Sequence, residues 1–348
     1  MRRLTMLGVV LALGAGPAVA DPPGLHSDVT VRVAGDYVYT GSTDVGPAAA
    51  WDYATFAGGR IYLGHRDSIA VIDPIAGKVV GTVTGLDEAH GAAVDVALGK
   101  GFATSGGDGM LKEFDLTTFA DVKDIPTGKD SDGVIFDPGA GVVLVTVGDA
   151  KQLVIVDAKS AAVTHQVDLP GSPEFVAADG KGRAFVNIAS TGQLARVDIA
   201  SGKVEAVWDL TGCQRPHGLA YDHKTRRLFA GCANAKLVEV DPDSGKLIAT
   251  LPAGPQNDAM IVDEARGRVF CPNGDGTLTE AKEGPGDTLT PLRTIPTFLG
   301  ARSGAIDPKT GVIYLTYGQI QIVAGPRDPG GLKFGWSSAK IAAFAPND

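Results

Sequence analysis

An all-β fold is what the sequence predicts, on three grounds. Gly 47 and Pro 21 together make up about a fifth of 348 residues without any Gly-X-Y period, a turn-rich composition that is neither collagenous nor disordered. Apolar residues alternate over runs of four to seven positions bounded by Gly, Pro, Asn and Asp, the period of strands rather than helices. The runs also recur as a unit of about 42 residues: a first strand with a turn aspartate, a second bearing an aromatic, a third ending in Asp, a Gly-Lys turn and a fourth. Four strands in that length make one blade, and seven blades close into a β-propeller around a central channel.

In chain order, Met1–Ala20 comes first: Arg2 and Arg3, an apolar run Leu7–Leu13, and the small residues Ala18-Val19-Ala20 before Asp21. This is the pattern of a secretory signal peptide cleaved after Ala20, and it places the mature chain in the periplasm or outside the cell. The expected domains are therefore a signal peptide, 1–20, and a single propeller, 21–348. Cleavage leaves 29 basic and 40 acidic residues, a net charge of −11. Such a chain has no general attraction to nucleic-acid phosphates or anionic membranes, and a monomer without a membrane span is expected.

The repeat begins with Trp51-Asp52-Tyr53-Ala54-Thr55-Phe56, then Arg60-Ile61-Tyr62-Leu63-Gly64, then Ser68-Ile69-Ala70-Val71-Ile72-Asp73, closing with Val79–Val83. The fifth copy matches it, from His217-Gly218-Leu219-Ala220-Tyr221-Asp222 to Leu247–Leu251. Seven copies are anchored on Trp51, His90, Asp132, Glu174, His217, Asp258 and Arg302, at intervals of 39, 42, 42, 43, 41 and 44 residues. The seventh supplies only three strands. Asp28–Val33, or alternatively Asp36–Thr40, is expected to add the missing outer strand and remove an open sheet edge.

The second- and third-strand sequences, Arg60–Gly64 through Asp73, Val143–Thr146 through Asp157 and Arg183–Asn187 through Asp198, resemble the YVTN-type propeller repeat. Trp51-Asp52-Tyr53, Pro173-Glu174-Phe175 and Asn273-Gly274-Asp275-Gly276-Thr277-Leu278 resemble its secreted bacterial YncE-like branch, over residues 50 to 345. The resemblance implies a seven-bladed propeller and no particular activity.

Repetition separates scaffold from site. Asp95, Asp137, Asp179, Asp222, Asp263 and Asp307 after the first strand, and Asp73, Asp115, Asp157, Asp198 and Asp241 ending the third, recur almost unchanged and read as turn residues bonding their own amides. The anchors vary instead. Since the first strand of a blade is innermost, Trp51, His90, Asp132, Glu174, His217, Asp258 and Arg302 should converge on one mouth of the channel. Three readings follow: a polar channel lining with no specific ligand, a site gripping a small polar ligand or protein partner through carboxylates and Arg302, or a divalent metal held by His90, His217 and Glu174. The leading expectation is a non-enzymatic binder. The alternative is a metal-assisted hydrolase or lactonase on the same ring, with a second carboxylate as base; a third is an interaction platform using the blade faces.

Three cysteines exclude a disulfide-dense scaffold and a four-cysteine zinc site. Cys213 lies in the connection into the fifth blade and Cys232 ends that blade's second strand, loops on one face, so a 213–232 disulfide is expected and Cys271 is left as a buried thiol. Cys213-Gln214-Arg215-Pro216-His217 does not have the c-type haem spacing. No G-x-S-x-G elbow, Walker loop or H-E-x-x-H helix is present, and no catalytic residue is assigned. The stretch 318–339 interrupts the last blade as an insertion, read as a surface loop, a lid or a partner contact.

Overall fold

The computed structural model describes residues 37–47, 50–324 and 333–347. The signal-peptide segment, the Asp28–Val33 candidate for the closing strand and residues 325–332 of the insertion lie outside the described residues. Within them the chain forms 28 strands, β1 to β28 in order, and no helix. These make seven four-stranded antiparallel sheets, and six of the seven are consecutive in sequence, from the one that starts at Ala54 and ends at Val83 to the one that starts at Ile261 and ends at Pro296.

Burial follows position in the blade. In the third blade the second strand, β11 (Val142–Val147), is buried at every residue. Outermost strands alternate or are largely exposed, as in β17 (Lys203–Asp209) and β9 (Asp121–Pro126). A strand covered on both faces by neighbouring sheets carries a continuous apolar run, whereas an edge strand alternates. The core accordingly divides into seven apolar clusters, each spanning the interface between two adjacent blades. Phe102, Phe114, Phe185, Phe229, Phe270 and Phe344 are its largest fully buried side chains.

The seventh sheet runs β1 (Tyr37–Pro47), β28 (Lys333–Pro346), β27 (Ile313–Ala324) and β26 (Ser303–Ile306). Its outer strand thus comes from the start of the propeller, paired from Tyr37↔Pro346 to Pro47↔Ser338. Of the two segments considered from the sequence, the one from Asp36 to Thr40 overlaps this strand, which runs on to Pro47. Tyr37 also donates its hydroxyl to Asp263 Oδ2 at 2.7 Å, tying the strand to the sixth blade. Much of the insertion is not loop. β27 and β28 continue beyond the blade as a longer hairpin, pairing Gly318↔Ala339 and Ile320↔Trp336.

The turn aspartates do what repetition implies. Asp95 accepts from the amides of Ala97 and Leu98, Asp222 from Lys224 and Thr225, Asp115 from Thr117 and Thr118, and Asp241 from Asp243 and Ser244. Cys213 and Cys232 are joined in a disulfide with Cα atoms 5.3 Å apart, and Cys271 is buried and unpaired.

Candidate functional site

In the second to fifth blades the innermost strand is broken at its start by a bulge. In β6 (Ala89–Asp95) the pairing with β7 (Lys100–Ser105) jumps from Ala89↔Ser105 to Ala92↔Ala103, leaving His90 and Gly91 unpaired. The same jump leaves Asp132 with Gly133, Glu174 with Phe175, and His217 with Gly218. A bulge re-aims its residues, and here it turns the first of each pair out of the ladder. Two residues upstream the chain takes the left-handed conformation in five blades, at Glu88, Asp130, Arg215, Gln256 and Gly300. The bulge carbonyls are held by buried polar residues of second strands. Thr146 Oγ1 donates to Glu174 O at 2.7 Å, Asn187 Nδ2 to His217 O at 2.9 Å, and Thr104 Oγ1 to Gly91 O at 3.4 Å.

In the first blade the equivalent position belongs to Asp52, one residue later than the Trp51 read from the sequence. Its β2 (Ala54–Ala57) pairs Ala57↔Arg60, whereas the second blade pairs Asp95↔Lys100. That hairpin is two residues shorter, which slides the register and gives Asp52 the place that His90 holds next door. Trp51 sits beside the ring instead, its Nε1 donating to Gly300 O at 3.3 Å.

Around the channel the sequence of side chains is therefore Asp52, His90, Asp132, Glu174, His217, Asp258, Arg302, and each basic group lies between acids of the two adjacent blades. His90 Nδ1 is 2.7 Å from Asp52 Oδ2 and 3.3 Å from Asp132 Oδ1. His217 Nδ1 is 3.1 Å from Glu174 Oε1 and 3.3 Å from Asp258 Oδ1. Arg302 Nε donates to the other oxygen of Asp258 at 2.6 Å. The two imidazoles thus belong to separate clusters rather than to one with Glu174. Among the described residues, the three that bring metal-ligand atoms within 4.8 Å of one another are Asp52, His90 and Asp132.

Burial opposes charge on both histidines. The hydrogen bond to Asp52 and the charges of Asp132 and Asp52 outweigh it at His90, and the bonds to Asp258 and Glu174 do so at His217, so each is raised to about 9. Both imidazoles are then cationic at neutral pH. Burial pushes the carboxyls of Asp52 and Asp132 upward, with the charge of Asp52 adding to the effect on Asp132. Nε2 of His217 is buried without a hydrogen-bond partner among the described residues.

A cavity of about 630 Å³ opens beside the ring at the seventh blade, and Arg302, Trp51, Gln256, Leu299, Ile320 and Trp336 are among its lining residues. This is within the size range of small-molecule sites. Sequence reasoning had no hold on Asp52, hidden by the shortened hairpin, or on the cavity, which needs the long β27–β28 hairpin. The buried Thr104, Thr146, Asn187 and Thr316 did leave a signal: a polar residue at the same point of an otherwise apolar second strand.

No protein-family model and no curated protein matches this sequence. Solved structures do match in fold. The WD40 repeats of RRP9 align with a TM-score of 0.74 at 10% identity, covering 89% of this chain and all of that one. The U3-55K structure gives 0.72 at 9%, covering 87% and 98%. Hydrazine synthase of Kuenenia stuttgartiensis gives 0.67 at 14%, covering 82% and 95%. At these identities the likeness is one of fold: the chain is a seven-bladed β-propeller with four-stranded blades.

Proposed function

We propose that this chain is a secreted, YVTN-type propeller of the YncE-like kind that binds a small polar ligand at the mouth of its channel and carries out no chemistry on it. The observation that carries the reading is the position of Arg302. It belongs at once to the charged ring and to the wall of the cavity, its Nε fixed by Asp258. A guanidinium anchored in that way presents its remaining N–H donors in a set direction, an arrangement suited to an anionic oxygen pair. The disulfide accords with an oxidising compartment, and no helix among the described residues is long and apolar enough to cross a membrane. A thermal-shift screen of small organic acids and zwitterions tests the reading. Compounds that stabilise the wild type should lose their effect in Arg302→Ala; stabilisation that survives the substitution places binding elsewhere.

A second reading, a metal-assisted hydrolase, is favoured by the Asp52, His90 and Asp132 donors. They offer one nitrogen and two carboxylates, a set suited to a divalent ion. Metal analysis of the purified protein separates the two: a stoichiometric ion lost in His90→Ala supports the hydrolase, and its absence supports the binder.

A further inference from the structure

The cavity beside Arg302 has large apolar side chains in a wall that is otherwise polar. Leu299, Ile320 and Trp336 are three of the large hydrophobic residues that the described surface leaves exposed, and all three face this one space. Trp51 and Trp336 meet edge to face, with centroids 5.2 Å apart and ring planes at 88°. Two glycines make room for the indoles. A Cβ on Gly318 would collide with the Trp51 ring and approach Trp336 Cε3 at 2.9 Å, and one on Gly300 would lie 3.1 Å from Trp51 Cζ2. Gly300 also has φ +78, which only glycine adopts without strain. With its Nε1 committed to Gly300 O, Trp51 is held as a fixed wall.

One cationic group faces this wall. Arg302 spends Nε on Asp258, while neither Nη nitrogen has an acceptor among the described residues, and about half of the side chain is exposed. Asp258 is itself held against His217, so the guanidinium is supported by two residues behind it. Gln256 adds a side-chain amide at the rim. Perpendicular indoles next to a guanidinium with a free edge match a flat ring carrying a single carboxylate: the ring packs on indole and aliphatic carbon, and the carboxylate takes the Nη pair.

Resting on the ligand-binding reading above, we infer that the ligand is an aromatic monocarboxylate, seated between the first, sixth and seventh blades with its ring on Trp51 and Trp336 and its carboxylate on Arg302. Isothermal titration with 1-naphthoate tests this at pH 7. Saturable binding at one site is expected, weakened about tenfold or more in Arg302→Gln and in Trp336→Ala, a loss of about 1.4 kcal/mol or more. The neutral 1-naphthamide should bind the wild type no better than it binds Arg302→Gln. Arg302→Lys, which keeps the charge, should retain part of the affinity, and circular dichroism of each variant confirms that the blades are intact. Naphthoate binding that ignores Arg302 or Trp336, or no binding at all, overturns the inference. If naphthoate fails while a non-aromatic acid from the thermal-shift screen still depends on Arg302, the aromatic assignment falls and the channel-mouth reading stands. If no compound depends on Arg302, both fall.

Discussion

The ring of Tyr53 packs on that of Phe175, 4.8 Å between centroids, although the two enter from the first and fourth blades. Each follows a ring residue, at a position that Gly91, Gly133, Gly218, Ala259 and Ser303 fill elsewhere. Those small residues leave the channel space that the aromatic pair occupies: a Cβ on Gly133 would lie 3.0 Å from Phe175 Cδ2, and one on Gly91 3.2 Å from Tyr53 Cβ. Burial, with the charges of Asp132, Glu174, Asp52 and Asp258, pushes the Tyr53 phenol well above its ordinary range, so it stays protonated.

Truncating this pair should therefore cost stability as a core aromatic does. Tyr53→Ala is expected to lose about 3 kcal/mol or more in urea unfolding. Tyr53→Phe, which gives up only the long 3.5 Å contact to Glu174, should lose less than about 1 kcal/mol. Equal losses in the two variants would mean that the hydroxyl, not the ring, holds the channel together.

The histidines set a pH dependence with a definite sign. His90 and His217 are raised in the folded state to about 9 from 6.5, so between those values the folded chain binds more protons than the unfolded one. Their stabilisation is complete below pH 6.5 and fades as pH rises through 9. The raised carboxyls of Asp52 and Asp132 act in the same direction. The urea midpoint of the wild type should fall between pH 6.5 and 9, and a His90→Asn, His217→Asn variant should show a flatter profile over that interval.

The disulfide closes a loop with a sequence separation of 19 between Cys213 and Cys232. Replacing both with Ser is expected to lower stability by about 3 kcal/mol. Wild type in dithiothreitol should move toward the double variant, while Cys271→Ser should leave the reductant response unchanged.

Closure by β1 is tested through Tyr37. Its hydroxyl is buried and donates to Asp263, which also meets Arg266 Nη1 at 3.1 Å. Tyr37→Phe should cost about 1.5 to 3 kcal/mol, the usual value for a hydrogen bond to a charged group. A limited-proteolysis site appearing within 37–47 in that variant would locate the loss at the closing strand.

Blade number, strand order and the disulfide could be read from the sequence because each rests on a spacing that repeats or on loops that the topology fixes. The ring was legible wherever the period held, from His90 to Arg302. It slipped at Trp51, where a hairpin two residues short breaks the period and Asp52 takes the place. Which acid meets which imidazole is decided by adjacency around the channel, so His90 and His217 fall into different clusters despite equivalent places in their blades. The role of Tyr53 and Phe175 shows only when seven copies are superposed in space, since nothing near either residue in the chain marks it as a filler of the channel.

The pairing of Tyr37 with Pro346 has a consequence for biogenesis. These partners stand at opposite ends of the described chain, and bringing them together carries the largest loop-closure entropy of any contact in the ring. Until β28 has been synthesised, β1 has no strand to pair with and the seventh sheet stays open. Completion of the disc is thus tied to the arrival of the last described strand, and before it β1 is an exposed sheet edge open to other chains.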